Sequence, residues 1–334
     1  METKILKDTI EDMEIAAKII ATGGLVAFPT ETVYGLGANA LDGQAVGKVY
    51  AAKGRPSDNP MIVHISSKSD LAKLTTVIST DMSILMENFW PGPLTMVVNK
   101  NEVVPMVTTG GLDTVAVRMP DNKIALDLIT MSKCPIAAPS ANLSGKPSPT
   151  TGQHVIDDMF GRIDGIILGE DCRVGIESTV VDMTGETPMI LRPGILTKEK
   201  LSEVLGKEIL LDPTLTKRPD QFNNEDFKPK APGMKYKHYA PNAEMIVFEG
   251  QLEKVKVEIE KVKKQREAKG QTVGVIFYEE NESEKAAHDF FAKLREYDKE
   301  GIDVILAAAL KEDGIGFSVM NRMLKSAGYN IKKL

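Results

Sequence analysis

The sequence predicts two α/β domains joined by a proline-rich linker. Three observations carry that expectation. From about residue 10 to residue 205, helix-like and strand-like segments alternate. Residues 207–242 lack periodicity and scatter Pro213, Pro219, Pro229, Pro232 and Pro241 among polar positions. From Glu244 onward the alternation is regular, in three β–α units that imply a small parallel sheet with helices packed on it. The chain has 334 residues, and about 150 residues make a typical domain. A 42% hydrophobic and 26% charged composition can build buried cores, which excludes wholesale disorder. The expected boundaries are 1–206 for the first domain, 207–242 for the linker and 243–334 for the second domain.

Each element has a local reason. Thr9 caps a helix to Thr22, with Ile10, Met13, Ala17 and Ile20 at helical spacing, and Gly23-Gly24 ends it. Leu25–Phe28 is a short strand stopped by Pro29. Asp42–Lys53 reads as a helix and Met61–Ile65 as a strand. Strands Leu94–Val98 and Thr114–Arg118 follow, then a helix over Asn122–Met131 and a strand Ile136–Ala138. A helix over Thr151–Phe160 and strands at Gly165–Leu168, Ser178–Asp182 and Pro188–Leu191 complete the first domain. In the second, strands Met245–Phe248, Val273–Tyr278 and Ile302–Leu306 alternate with helices Gln251–Lys269, Ser283–Glu300 and Gly316–Ala327.

Composition narrows the function classes. A net charge of -6 argues against a protein that lives by gripping nucleic-acid backbone. Any phosphate site must be local. Cys134 and Cys172 form no C-x-x-C, so neither a disulfide framework nor a zinc site is expected. His64, His154, His238 and His288 form no metal-binding pattern. No apolar run reaches about 18 residues, and no basic-then-apolar leader opens the chain. The expected location is the cytoplasm.

Four segments could carry chemistry. Pro29-Thr30-Glu31-Thr32-Val33-Tyr34-Gly35-Leu36-Gly37 follows a strand and precedes a helix, where α/β sheets place ligands. Its hydroxyls and glycines suit close contact with a polar ligand, and the structural alternative is a Gly-rich turn between strand and helix. Gly35–Ala40 also fits the dinucleotide fingerprint, but Pro29 breaks the strand before the glycines. In Lys53-Gly54-Arg55-Pro56-Ser57-Asp58-Asn59-Pro60, the spacing of Lys53 and Arg55 sends both cations off one face of an extended backbone, as a phosphate site requires. Ala138-Pro139-Ser140-Ala141-Asn142-Leu143-Ser144-Gly145 repeats that spacing with the neutral Ser140 and Asn142. Pro232-Gly233-Met234-Lys235-Tyr236-Lys237-His238-Tyr239-Ala240-Pro241 is a cationic, aromatic patch in the linker, suited to a lid. His64 and Arg118 at strand ends, Glu177-Ser178-Thr179-Val180-Val181 and Leu191-Arg192-Pro193-Gly194 are further fragments. Each alone also fits a structural role.

Together, in this order, these motifs resemble the threonylcarbamoyl-AMP synthases in their long form. The resemblance covers nearly the whole chain. It implies a YrdC-like domain with a twisted mixed sheet, a linker, and a small Rossmann-like C-terminal domain. It implies synthesis of L-threonylcarbamoyl-AMP and pyrophosphate from L-threonine, bicarbonate or CO2, and ATP, ahead of the machinery that threonylcarbamoylates adenosine 37 of tRNA. The family's K-x-R…S-x-N tetrad matches Lys53, Arg55, Ser140 and Asn142. Thr32, His64, Arg118, Ala138 and Ser178 match threonine-site positions. Arg55, Asn59, Thr114, Ser140, Ser148, Arg192 and Tyr239 match ATP-site positions.

The residue types fit a reaction without a covalent enzyme intermediate, since no G-x-S-x-G or Cys-His signature is present. Threonine would be carboxylated to a carbamate that attacks the ATP α-phosphorus in line, with catalysis resting on positioning and charge. Arg118 suits the threonine carboxylate, and His64 and Thr32 its hydroxyl or amine. Lys53 and Arg55 would neutralise phosphate charge. No Walker A motif or acidic cluster appears, so Mg2+ is expected with the ATP phosphates. The competing classes are an RNA-binding module for tRNA or double-stranded RNA and another carbamoyl- or acyl-phosphate-processing enzyme. No membrane partner and little direct contact with nucleic acid are expected.

Overall fold

The structure is a computed structural model describing residues 2–216 and 238–334. The linker expectations on Pro219, Pro229 and Pro232–Lys237 lie outside the described residues. The chain divides into two compact units. One holds residues 2–144 and 148–216, the other 145–147 with 238–334.

In the first unit the chain runs β1 (Lys4–Leu6), α1 (Ile10–Ala21), β2 (Val26–Phe28), β3 (Gly35–Asn39), α2 (Gly43–Lys53), β4 (Ile62–His64), α3 (Leu71–Leu74), α4 (Thr80–Phe89) and β5 (Leu94–Asn99). It continues through β6 (Thr114–Arg118), α5 (Lys123–Ser132), β7 (Ile136–Ala137), α6 (Gly152–Met159), β8 (Gly165–Ile167), β9 (Thr179–Asp182), β10 (Met189–Arg192), α7 (Lys198–Leu205) and β11 (Leu210–Leu211). The helix starts follow the capping logic. Thr9, Asp42, Asn122 and Thr151 each accept a backbone N–H from the first turn of α1, α2, α5 and α6.

The strands form one 11-stranded sheet in the order β1-β8-β2-β3-β7-β4-β6-β5-β9-β10-β11. It mixes parallel pairs, such as β4 with β6, and antiparallel ones, such as β5 with β6. The structural alternative of a Gly-rich turn does not hold at Gly35–Gly37. These residues are β3, antiparallel to both β2 and β7. A Cβ on Gly37 would lie 2.7 Å from Ile136 Cγ2 and 2.8 Å from Phe28 Cε1. The glycine admits those side chains to the strand. With Gly35–Ala40 extended, the dinucleotide-turn alternative falls as well.

A second correction concerns Lys53 and Arg55. Lys53 is the last residue of α2, and Gly54 caps it in the left-handed region at φ 63°. The two cations therefore leave a helix end rather than an extended strand. Helices α3, α4 and α7 were not expected, although α4 carries a Ser79 cap and buries Met82, Leu85 and Met86 at helical spacing.

The second unit contains β12 (Glu244–Glu249), α8 (Leu252–Glu267), β13 (Val273–Ile276), α9 (Ser283–Glu300), β14 (Val304–Ala308), α10 (Gly314–Ser326) and β15 (Ile331–Lys333). Its sheet is parallel throughout, in the order β13-β14-β12-β15. Phe248, Val255, Ile259, Val304 and Leu306 form its core on the α8 side. The expected parallel α/β domain is present, with β15 as an added edge strand.

Candidate functional site

Strand alternation and register assemble most of the candidate residues on one face. Thr114, Ala116 and Arg118 share a face of β6, because side chains two apart point the same way. Ile62 and His64 of β4 lie opposite Ala116 and Arg118. On the other flank, Thr95 and Val97 of β5 lie opposite Arg118 and Ala116, and Val180 of β9 lies beside Thr95. After β7, the Ala138 N–H donates to the Ile62 carbonyl at 2.9 Å, and Ser140 forms an isolated bridge to Gly35. Ile62, Val97, Ala116, Val180 and Leu191 pack as an apolar floor. The opposite face, with Val63, Met96, Val115 and Val117, belongs to the main core.

Polar groups stand at both ends of this floor. Thr114 and Arg118 are four residues apart, about 13 Å at the usual strand rise. At the Arg118 end, the guanidinium is buried and almost fully engaged. Its Nε donates to the Gly92 carbonyl at 3.3 Å and its Nη1 to Thr32 Oγ1 at 2.9 Å. Its Nη2 lies 2.6 Å from Glu31 Oε2. Beside it, the buried His64 ring meets Phe28 edge-on at 6.2 Å. Burial, and secondarily the Arg118 charge, push its pKa down to about 3. It is therefore a neutral hydrogen-bonding group at working pH. Thr95 Oγ1 and Ser178 Oγ are 2.7 Å apart, and Ser178 accepts from Arg192 at 3.0 Å. Ser148 donates to Glu177 at 2.7 Å, next to Ser178 in the chain.

At the other end, Lys53 is buried and holds the S-x-N loop. Its Nζ donates to the backbone carbonyls of Ser140 and Asn142. Ser140 Oγ donates to Asn142 Oδ1 at 2.5 Å. Arg55 reaches along its own loop, with Nε 3.3 Å from the Asn59 carbonyl and Nη2 3.0 Å from that of Pro60. Pro60 lies two positions before Ile62, which pairs with Ala116, and so stands near the level of Thr114. Asn59 is buried, and its Oδ1 has no hydrogen-bond donor among the described residues.

The structure thus gathers Thr32, His64, Arg118 and Ser178 at one end and Lys53, Arg55, Asn59, Thr114, Ser140 and Asn142 at the other. Ala138 lies between them. Tyr239 is in the second unit, its ring 5.0 Å from that of Phe291. Glu31, Thr95 and Glu177 are partners that the sequence reading did not assign. Glu31 and Glu177 lie inside motifs it quoted, but a buried carboxylate leaves no periodicity signal.

The His64 shift has a measurable consequence. A folded pKa near 3 lies below the ordinary 6.5, so the unfolded chain takes up the proton first as pH falls. The stability held by neutral His64 is complete above about pH 6.5 and is lost toward pH 3. Urea unfolding should show the parent chain losing about 1.4 kcal/mol more per pH unit in that window than His64→Gln. A pH-independent difference between the two would refute the assignment.

Two profiles divide the sequence. One, described as Telomere recombination (Sua5_yciO_yrdC), matches residues 18–194. The other, described as the C-terminal domain of threonylcarbamoyl-AMP synthase, matches residues 196–328. The threonylcarbamoyl-AMP synthase of Pyrococcus abyssi is 50% identical over an alignment of 341 residues, covering 98% of each chain. That of Bacillus subtilis is 43% identical, covering 94% of this chain and 92% of its own. The structure of P. abyssi Sua5 complexed with L-threonine matches with a TM-score of 0.92 at 49% identity, over 100% of both chains. Two-domain order, mixed and parallel sheets, and full-length similarity agree, and the chain belongs to the threonylcarbamoyl-AMP synthase family in its long form.

Proposed function

We propose that this chain makes L-threonylcarbamoyl-AMP and pyrophosphate from L-threonine, bicarbonate or CO2, and ATP. The observation that carries the reading is the face of the mixed sheet. A buried Arg118 at one end suits an amino-acid carboxylate, and polar groups stand about 13 Å away along β6. An amino acid held at one end and a nucleotide held at the other would span such a floor.

The residue roles follow from the two ends. Arg118 pairs with the threonine carboxylate, and Thr32, His64, Ala138 and Ser178 surround its remaining groups. Because His64 is neutral, it can accept or donate to the side-chain hydroxyl without a charge penalty. Arg55, Asn59, Thr114 and Ser140 serve ATP from the other end; Ser148 and Arg192, which stand beside Glu177 and Ser178, and Tyr239 join the ATP set by their family motifs alone. The orphan Oδ1 of Asn59 is an acceptor that a ligand N–H or O–H would satisfy. Lys53 holds the Ser140 and Asn142 carbonyls, so the tetrad acts partly by positioning. The carbamate oxygen attacks the α-phosphorus and pyrophosphate leaves, aided by orientation and fixed charge.

Among the described residues, no group of three or more His, Cys, Asp and Glu side chains could hold a metal. We place Mg2+ on the ATP phosphates as part of the substrate. The product passes to the machinery that threonylcarbamoylates adenosine 37 of tRNA. Among the described residues no helix is long and apolar enough to cross a membrane, and the proposed location is the cytoplasm. The proposed division is a catalytic domain over 1–206, a linker over 207–242 and a C-terminal domain over 243–334.

Pyrophosphate release should require ATP, L-threonine and bicarbonate together, with the adenylate identified by mass. Equal release with serine, or without any amino acid, would overturn the substrate assignment. Tight RNA binding that falls steeply with salt would favour the RNA-binding alternative.

A further inference from the structure

We infer that Glu31 and Arg118 together form a receptor for the zwitterion of the amino-acid substrate, with Glu31 taking the α-ammonium and then one of its protons. The inference rests on the threonine reading above. Glu31 lies in the segment between β2 and β3, with a side-chain exposure of 1%. A carboxylate buried so completely is strongly disfavoured unless its oxygens are neutralised and receive hydrogen bonds. Arg118 supplies the first requirement at 2.6 Å. It does not supply the second. Neither Glu31 oxygen receives an aligned N–H or O–H from the described residues, and Arg118 Nη2 likewise makes no aligned hydrogen bond. The pair is close in charge but open in hydrogen-bonding geometry.

An α-amino acid fits that opening. Its carboxylate and ammonium sit on one carbon, so a cation that holds the first must have an anion close by for the second. Arg118 and Glu31 are neighbours of that kind, and Thr32 steadies the guanidinium from its other nitrogen. Arg118 Nη2, paired in charge with Glu31 but making no aligned hydrogen bond, would donate to the carboxylate, and the ammonium would give Glu31 the donors it lacks. The substrate thereby completes two buried groups that the free protein leaves unsatisfied.

The same contact serves the chemistry. The ammonium has no lone pair, and attack on CO2 needs one. Glu31 accepts one N–H proton and becomes a neutral acid. The freed lone pair forms the N–C bond while one C=O bond of CO2 opens to a carboxylate. The second proton leaves nitrogen for water, or for the hydroxide released when bicarbonate is the source, giving water. The carbamate that results carries the oxygen for attack on phosphorus. Glu31 meets the reacting nitrogen directly and is a catalytic residue in this scheme.

The test compares affinities for L-threonine and 3-hydroxybutanoate, which keeps the carboxylate and hydroxyl but lacks the amine. Calorimetry on the full chain should show the parent protein strongly preferring threonine. Glu31→Gln should cut that preference by about 10- to 100-fold, leaving 3-hydroxybutanoate affinity little changed. Threonine-dependent turnover should fall further than threonine affinity does. Equal weakening of both ligands would show that Glu31 only supports Arg118 and would overturn the inference. Should Glu31→Gln fail to fold, Glu31→Asp keeps the charge but withdraws it by one methylene. Its threonine preference must drop selectively, and an unchanged preference overturns the inference. Failure of the parent chain to bind threonine would instead refute the functional reading on which this one stands.

Discussion

Arg118→Met should abolish threonine-dependent pyrophosphate release and at the same time destabilise the first domain by about 3–5 kcal/mol. The two effects have different origins. Arg118 Nη2 and Glu31 Oε2 lie 2.6 Å apart with side-chain exposures of 4% and 1%, so removal of the cation strands a buried carboxylate. Loss of the Gly92 and Thr32 contacts adds to it. The double variant Arg118→Met with Glu31→Leu removes both charges and should regain most of the stability, because apolar groups of similar volume replace a buried pair at little cost. It should regain none of the activity. Urea midpoints and pyrophosphate assays on the four members of this cycle separate folding from function. A double variant as unstable as the single one would mean that the pair is not the source of the loss.

That cycle isolates a group that sequence reasoning placed only in part. Arg118 stood out as the end of the run Thr114–Arg118, but its threonine role came from the family resemblance. Glu31 did not stand out, although it lies in a quoted motif. Its significance depends on a contact across 87 positions of chain, and no local pattern encodes that. Helix starts were readable for a related reason: Thr9, Asp42, Asn122 and Thr151 cap their own first turns, so cause and effect lie within three residues. The glycines of β3 carry no local strand signal, because glycine in a sequence also fits a turn. Their role is set by Phe28 and Ile136, which pack against the strand from elsewhere in the sheet. The K-x-R spacing was wrong about backbone, since Lys53 ends a helix and Gly54 follows it in the left-handed region. The mixed order of the sheet came only through family resemblance. Strand order depends on long-range pairing, which segment-by-segment alternation leaves open.

Lys53→Met should reduce turnover by 100-fold or more while leaving threonine affinity nearly intact. Lys53 is 3% exposed and lies at the end of α2, where a cation also suits the helix dipole. Its ammonium ties down the Ser140 and Asn142 carbonyls, and Asn142 Oδ1 lies 3.4 Å away. Methionine fills the same volume but leaves those carbonyls without their donor, at about 1–3 kcal/mol for each one left buried. The loop carrying Ser140 and Asn142 would then shift, and displacements of about 1 Å at a reacting centre can cost about 100-fold in rate. The threonine end is spared because His64 and Arg118 lie along the strands from Lys53, held by β4–β6 pairing rather than by this loop. Lys53→Arg tests the positioning role separately. It keeps the charge, but a planar fork does not reproduce a compact ammonium shared by two converging carbonyls, so activity should stay low. Threonine titration by calorimetry and single-turnover adenylate formation read the two ends independently. Equal loss at both would show that the ends of the face do not act separately, and full activity in Lys53→Arg would show that charge alone suffices.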